Sequence, residues 1–189
     1  MKLGLMASGN GTNVQAIIDA VSKQEISGQI SCIVTDNPKA YVIERAKKAG
    51  IPYLLAQPKA YDNRQAWEEA IVTYLRQQGV DLVVLAGFMR IVGQPLLDAF
   101  PNSIINIHPA LLPAFPGRDG IGDAYKAKVS QTGVTVHYVD EGIDTGEIIA
   151  QESLTIEADW TLDDLAAHIH DIEHDLYPKV IEQLIQNQK

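Results

Sequence analysis

Asn106 and His108 stand two residues apart in Asn106-Ile107-His108-Pro109, at the end of a short apolar run. If that run is extended, both side chains leave it on the same side. Asparagine is a neutral hydrogen-bond donor, and histidine is a donor or a proton carrier. Together they suit stabilisation of a developing oxyanion on an attacked carbonyl. The pair alone serves equally well to satisfy the backbone of a loop. A second cluster, Asp140-Glu141-Gly142-Ile143-Asp144-Thr145-Gly146, combines three acids with two glycines in a sharply turning loop. A carboxylate from it placed beside His108 favours the imidazolium form. Glu141 reads more readily as an acid solvating the turn. The alternating acidic ladder of a calcium loop is absent.

Ser8-Gly9-Asn10-Gly11-Thr12-Asn13 joins an apolar run to a helical pattern. Small residues let the backbone approach an anion, and a helix start offers free N–H groups and the positive end of its dipole. A phosphate fits, and so does a plain tight turn capped by Thr12 or Asn13. Val14 occupies the third glycine position of a dinucleotide fingerprint, and no lysine follows as in a Walker loop. His137 shares a strand face with Thr135 and Val139 and belongs either to the site or to the core. His170 and His174 have metal-ligand spacing on a helix, but without HExxH or a cysteine cluster the pattern argues against a metal. Lys47-Lys48 reads as a solvated helix face.

The elements that would carry these residues alternate. Leu3 to Ala7 reads as a buried strand, Val14 to Val21 as a helix, and Ile30 to Thr35 as a second strand closed by Asp36-Asn37-Pro38. A helix over Tyr41 to Ala49 ends at Gly50, a weaker strand covers Ile51 to Ala56, and a long helix starts near the N-cap Asp62 and runs to Gly79. Val80 to Ala86 is nearly continuous in apolar residues, as a central strand covered on both faces should be. A short helix around Pro95 to Phe100 precedes the strand Ser103 to Ile107, and a stiff proline-rich loop follows from Pro109 to Gly117. Val134 to Val139 is another strand. Glu147 to Ala150 and Ser153 to Ile156 are two short ones. Trp160 to Gln186 is a helical region expected to break or bend at Pro178. The pattern predicts a Rossmann-like, doubly wound, mostly parallel open sheet in three α/β/α layers, a single domain over residues 1–189. Ligands on such sheets lie outside the carboxyl ends of the strands, where the unusual loops fall.

Bulk properties narrow the classes. The 189 residues suffice for one domain with a real core. The net charge of −9 leaves little material for a basic face, which argues against a nucleic-acid protein. Any anionic ligand must be caught by local donors. No apolar run approaches the roughly 20 residues of a membrane helix. The N-terminus lacks the pattern of a secretory signal. The single cysteine, Cys32, permits no intrachain disulfide, and a reducing, cytoplasmic setting fits.

Four segments together carry a resemblance. Ser8 to Asn13, Leu85-Ala86-Gly87-Phe88-Met89-Arg90-Ile91, Asn106 to Pro113, and Gly133 to Gly146 are similar, in order and over essentially the whole length, to the signatures of the glycinamide ribonucleotide formyltransferases, a folate-dependent family. The resemblance implies formyl transfer from 10-formyltetrahydrofolate to glycinamide ribonucleotide, with Asn106, His108 and Asp144 as the catalytic trio and no metal. It implies that the backbone of Gly11, Thr12 and Asn13 holds the ribonucleotide phosphate, and that Glu173 and His170 meet the ribose or phosphate. It places the donor's pterin in a slot of Met89, Arg90, Ile91 and Val92 and the loop Asp140, Glu141 to Asp144. Asn106 borders this slot, and Arg64 reaches toward the folate's acidic tail. Small-molecule substrates follow from the same likeness, the charge and the lack of a long apolar run argue against nucleic acid and membrane, and the expected assembly is a monomer or homodimer. Asp119 stands where many relatives carry histidine, which bears on the ordering of its loop, and His170 is at a position the family varies.

Other readings are weaker. A formyltetrahydrofolate deformylase would carry a regulatory domain before the first strand, and a methionyl-tRNA formyltransferase a further RNA-binding domain after this one. A nicotinamide-dependent oxidoreductase would use Asp36, at the end of the second strand, as its ribose-binding acid. It would lack its third glycine and have no use for Asn-Ile-His-Pro. A silent ligand-binding domain would not need all three members of the trio.

Overall fold

A computed structural model describes residues 1–188; Lys189, which the sequence reading includes in its single domain, lies outside the described residues. Seven strands form one sheet in the order β3-β2-β1-β4-β5-β6-β7. The strands are β1 (Lys2–Met6), β2 (Gln29–Thr35), β3 (Tyr53–Leu55), β4 (Leu82–Leu85), β5 (Ile104–His108), β6 (Gln131–Tyr138) and β7 (Ile148–Thr155). The first five run parallel, whereas β6 pairs antiparallel with both β5 and β7. The helices are α1 (Thr12–Ser22), α2 (Val42–Ala49), α3 (Arg64–Gln77), α4 (Gln94–Ala99), α5 (Gly120–Lys126) and α6 (Leu162–Gln186).

The period of two along β1 divides the core between two faces. Leu3, Leu5 and Ala7 join Val14, Ile17, Val42, Ile169 and Tyr177 on the side of α1, α2 and α6. Met6 joins Cys32, Val34, Trp67, Ile71 and Leu96 on the side of α3 and α4. The α/β sandwich with a mostly parallel sheet is therefore as expected. No helix among the described residues is long and apolar enough to cross a membrane.

Several local expectations change. Asn63, not Asp62, caps α3, its side chain accepting from Ala66 N–H at 2.8 Å. A 3-10 turn, Pro58–Ala60, stands just before it. Residues 147–150 and 153–156 do not form two short strands: β7 is continuous because it pairs with β6 from end to end, skipping only Ile149 where the register shifts. Helix α6 runs through Pro178 unbroken. A proline removes one backbone hydrogen bond, but Leu165, Ile169 and Tyr177 before it and Val180, Ile181 and Ile185 after it all pack into the core. Helix α5 is not anticipated from a segment with glycines at 117, 120 and 122. Asp119 starts it, accepting a hydrogen bond from Gly122 N–H at 3.0 Å. Asp119 is thus the helix cap.

Candidate active site

The strand order reverses between β1 and β4: the chain winds outward from β1 to β3 on one side and from β4 to β5 on the other. A crevice is expected outside the carboxyl ends of strands at such a point. A cleft of about 740 Å³ lies there. Its lining includes residues 9–13, 85–92, 106–109, 117–118, 142–145, His137, His170 and Glu173.

The floor is set by β5 and β6. Register places Asn106 opposite His137 and His108 opposite Thr135. His137 Nδ1–H donates to the Tyr138 carbonyl at 2.8 Å, so its Nε2 faces Asn106 Nδ2, 3.3 Å away, as the acceptor. One amide hydrogen of Asn106 is fixed by this contact, and no protein partner claims the other among the described residues. His108 is 3% exposed. Its Nε2–H donates to the Phe115 carbonyl at 2.7 Å, and its Nδ1 lies 3.5 Å from Asp144 Oδ2. Both ring nitrogens therefore face oxygens that can accept a hydrogen bond.

Asp144 is held in turn. Oδ2 accepts from Gly117 N–H at 2.8 Å, and Oδ1 lies 3.7 Å from His137 Nε2. Its φ of 54° is in the left-handed region, where a non-glycine residue carries strain of roughly 1–3 kcal/mol. The rest of the loop enforces that shape. Asp140 Oδ1 accepts from Gly142 N–H at 2.9 Å and from the Thr145 hydroxyl at 2.6 Å. Gly146 is required because a Cβ there would collide with the Tyr138 carbonyl.

One end of the cleft is the start of α1. Gly11, its N-cap, has φ 77°, and a Cβ at that position would lie 2.7 Å from Val42 Cγ2. The absent side chain lets the turn close and leaves the first N–H groups of the helix open to the cleft. Glu173 and His170, from α6, face this end. Glu173 is buried, and its Oε2 accepts from His170 Nδ1–H at 2.7 Å and from Asn13 Nδ2–H at 3.4 Å. The bond to Glu173 raises the His170 pKa above 6.5, partial burial opposing and the charges of Glu173 and Asp171 adding. Asn13 Oδ1 is buried without a protein partner, an acceptor aimed at nothing in the chain.

The other end is apolar. Met89, Ile91 and Ile143 are 59%, 55% and 57% exposed, an unusual cost for large hydrophobic side chains unless something flat and apolar covers them. Ser8 Oγ accepts from Met89 N–H at 2.9 Å. Arg90 Nε–H donates to Asp36 Oδ2 at 2.8 Å. The acid that a dinucleotide enzyme would turn toward a ribose is thus paired with an arginine.

Most of the residues singled out from sequence meet in this cleft: Gly11, Thr12, Asn13, Met89, Arg90, Ile91, Val92, Asn106, His108, Asp140, Asp144, His170 and Glu173. Arg64 and Glu141 do not line it; Arg64 borders an adjoining groove between α3 and α4. His174 lies in another groove, with Asp19 and Lys179, so the His170–His174 spacing does not converge on one point. His137, ambiguous from sequence, is both 2% exposed and part of the lining. The sequence reading misses the Phe115 carbonyl and the Gly117 N–H, because backbone groups carry no residue type. The only hint was the stiffness of the loop that presents them.

Known proteins resemble this chain over nearly its whole length. Residues 1–181 match the family model for formyl transferase. The chain is 48% identical over 184 residues to the phosphoribosylglycinamide formyltransferase of Bacillus subtilis (strain 168), covering 97% of this chain and 94% of that one. It is 37% identical to the trifunctional purine biosynthetic protein adenosine-3 of Drosophila melanogaster, with 97% of this chain matching 14% of that protein. The crystal structure of phosphoribosylglycinamide formyltransferase from Bacillus halodurans superposes with a TM-score of 0.97 at 45% identity, covering 100% of this chain and 97% of that one. The chain belongs to the formyl transferase family.

Proposed function

We propose that the protein transfers the formyl group of 10-formyltetrahydrofolate to the amine of glycinamide ribonucleotide, a step of purine synthesis, with Asn106, His108 and Asp144 carrying the chemistry. The observation that carries this is their convergence on the floor of one cleft, between a helix start open to an anion and a wall of exposed apolar side chains. The names of the relatives agree with it.

The ribonucleotide phosphate takes the N–H groups at the start of α1, with Glu173 and His170 toward its sugar and phosphate. The pterin lies against Met89, Ile91, Val92 and Ile143. Its formyl carbon then stands over Asn106 and His108. The glycinamide nitrogen attacks that carbon, a C–N bond forms, and the carbonyl oxygen becomes an oxyanion. The free amide hydrogen of Asn106 and the charged His108 ring stabilise it, the oxygen displacing one of the acceptors that His108 faces in the structure. Asp144 keeps the ring charged and oriented. Collapse breaks the bond from carbon to N10 of the folate, and the proton lost by the amine reaches N10 through His108 or ordered water. Holding both reactants in one cleft removes much of the cost of a bimolecular encounter. The steps use no metal and no covalent enzyme intermediate.

Mass spectrometry of a reaction with isotopically labelled donor tests the assignment. The label is expected in formylglycinamide ribonucleotide and in no free formate. Label found in formate alone would replace the amine by water as the acceptor.

A further inference from the structure

The segment from Gly87 to Gly93, which forms the apolar wall, is fastened from behind by one face of α3. Arg64, Trp67 and Glu68 stand at i, i+3 and i+4 and so share that face. The Trp67 ring stacks on Phe88, centroids 6.3 Å apart and planes 12° from parallel. Glu68 is 1% exposed, a burial that carboxylates rarely reach unless fully paired. Its oxygens accept from Gly93 N–H at 3.1 Å and from Arg64 Nε–H at 3.1 Å. The guanidinium of Arg64 donates onward to the Ile91 carbonyl. A Cβ at position 93 would collide with the carboxylate, so glycine there makes room for it. Neither Glu68, Arg64 nor Gly93 lines the cleft itself.

A buried carboxylate is a poor way to gain stability, since a well-packed apolar residue commonly does as well or better. It does fix geometry, because two donors from two elements must meet it at defined points. We propose that Glu68 is a positioning residue for the formyl donor: through Gly93 and Arg64 it holds the Met89–Val92 wall in the shape that receives the pterin. Arg64 is then part of the same clamp, acting on the wall through Ile91. The proposal rests on the reading of this wall as the donor's slot.

Calorimetry with two unreactive analogues of 10-formylfolate, one with and one without the glutamate tail, tests it alongside glycinamide ribonucleotide. Glu68→Gln turns an amide hydrogen toward one of the two donors. It is expected to weaken both analogues about tenfold, the scale of one buried hydrogen bond, and to leave ribonucleotide binding within about twofold. Glu68→Asp, which restores the charge, is expected to recover most of the loss. Arg64→Ala is expected to weaken the tail-less analogue as well as the tailed one, and it carries the test if Glu68→Gln does not fold. Unchanged analogue binding in Glu68→Gln, an equal loss for the ribonucleotide, or an Arg64→Ala effect restricted to the tailed analogue would each overturn the clamp. Wild-type protein that binds neither analogue would instead overturn the donor assignment on which the clamp rests.

Discussion

At the scale of single residues, the three side chains proposed to carry the chemistry come from β5 and the loop after β6, and their loss should be costly and similar. Asn106→Ala, His108→Ala and Asp144→Ala are each expected to lower turnover by roughly 10²–10³, the cost of a preorganised oxyanion donor, while thermal unfolding shows folded protein. Near-normal turnover in any one would remove it from the trio. His170 offers a second test, because the Glu173 bond holds its pKa above 6.5. A raised value means the folded state binds the proton more tightly than the unfolded chain. The stability this pair contributes is full below pH 6.5 and fades as pH rises through the raised folded value. In NMR titration the His170 midpoint is expected above 6.5 and closer to it in Glu173→Gln. A midpoint that ignores Glu173→Gln would contradict the assignment of that bond. Asn106 and His108 were legible as candidates because their types announce chemistry, and Asp144 was singled out within its acidic loop by the family resemblance. The Phe115 carbonyl and Gly117 N–H that orient two of them were not, since any residue supplies such groups and only the folded loop selects which.

Elements place these groups, and the start of α1 is the most exacting. Gly11 combines a left-handed φ of 77° with a neighbour, Val42, that leaves no space for a side chain. Gly11→Ala is expected to cost at least about 1–2 kcal/mol of stability from the backbone conformation alone. It is also expected to weaken the ribonucleotide more than the folate, because the N–H groups it displaces face the end proposed for the phosphate. Denaturant unfolding and paired KM values check both parts, and an equal loss for the two substrates would contradict the placement of the phosphate. Helix α6, the carrier of His170 and Glu173, shows what local signals cannot settle. Pro178 predicts a break, yet the apolar stripe on both sides of it outweighs one missing hydrogen bond. Helix α5 was hidden for the opposite reason: its glycines suppress helical propensity, and the cap by Asp119 becomes visible only when its bond to Gly122 does.

For the whole molecule, strand–helix alternation and the apolar run at 80–86 made a parallel, doubly wound sheet readable from sequence. Periodicity names the elements but not their neighbours. The reversal of strand order between β1 and β4, which opens the cleft, and the antiparallel addition of β6 and β7 needed the structure. The antiparallel pairing matters for the chemistry, since it brings His137 across from Asn106 and carries the Asp144 loop back over His108. With a net charge of −9 the molecule does not draw in an anionic substrate by its overall field, so recognition is left to the groups inside the cleft. The claim that this cleft joins two substrates is tested most directly by following the ultraviolet change on deformylation of 10-formyltetrahydrofolate, with and without glycinamide ribonucleotide. The expected result is loss of the formyl group only when the ribonucleotide is present. Equal loss in its absence would make the protein a hydrolase, and no loss in either condition, with folded protein, would contradict formyl transfer to this acceptor altogether.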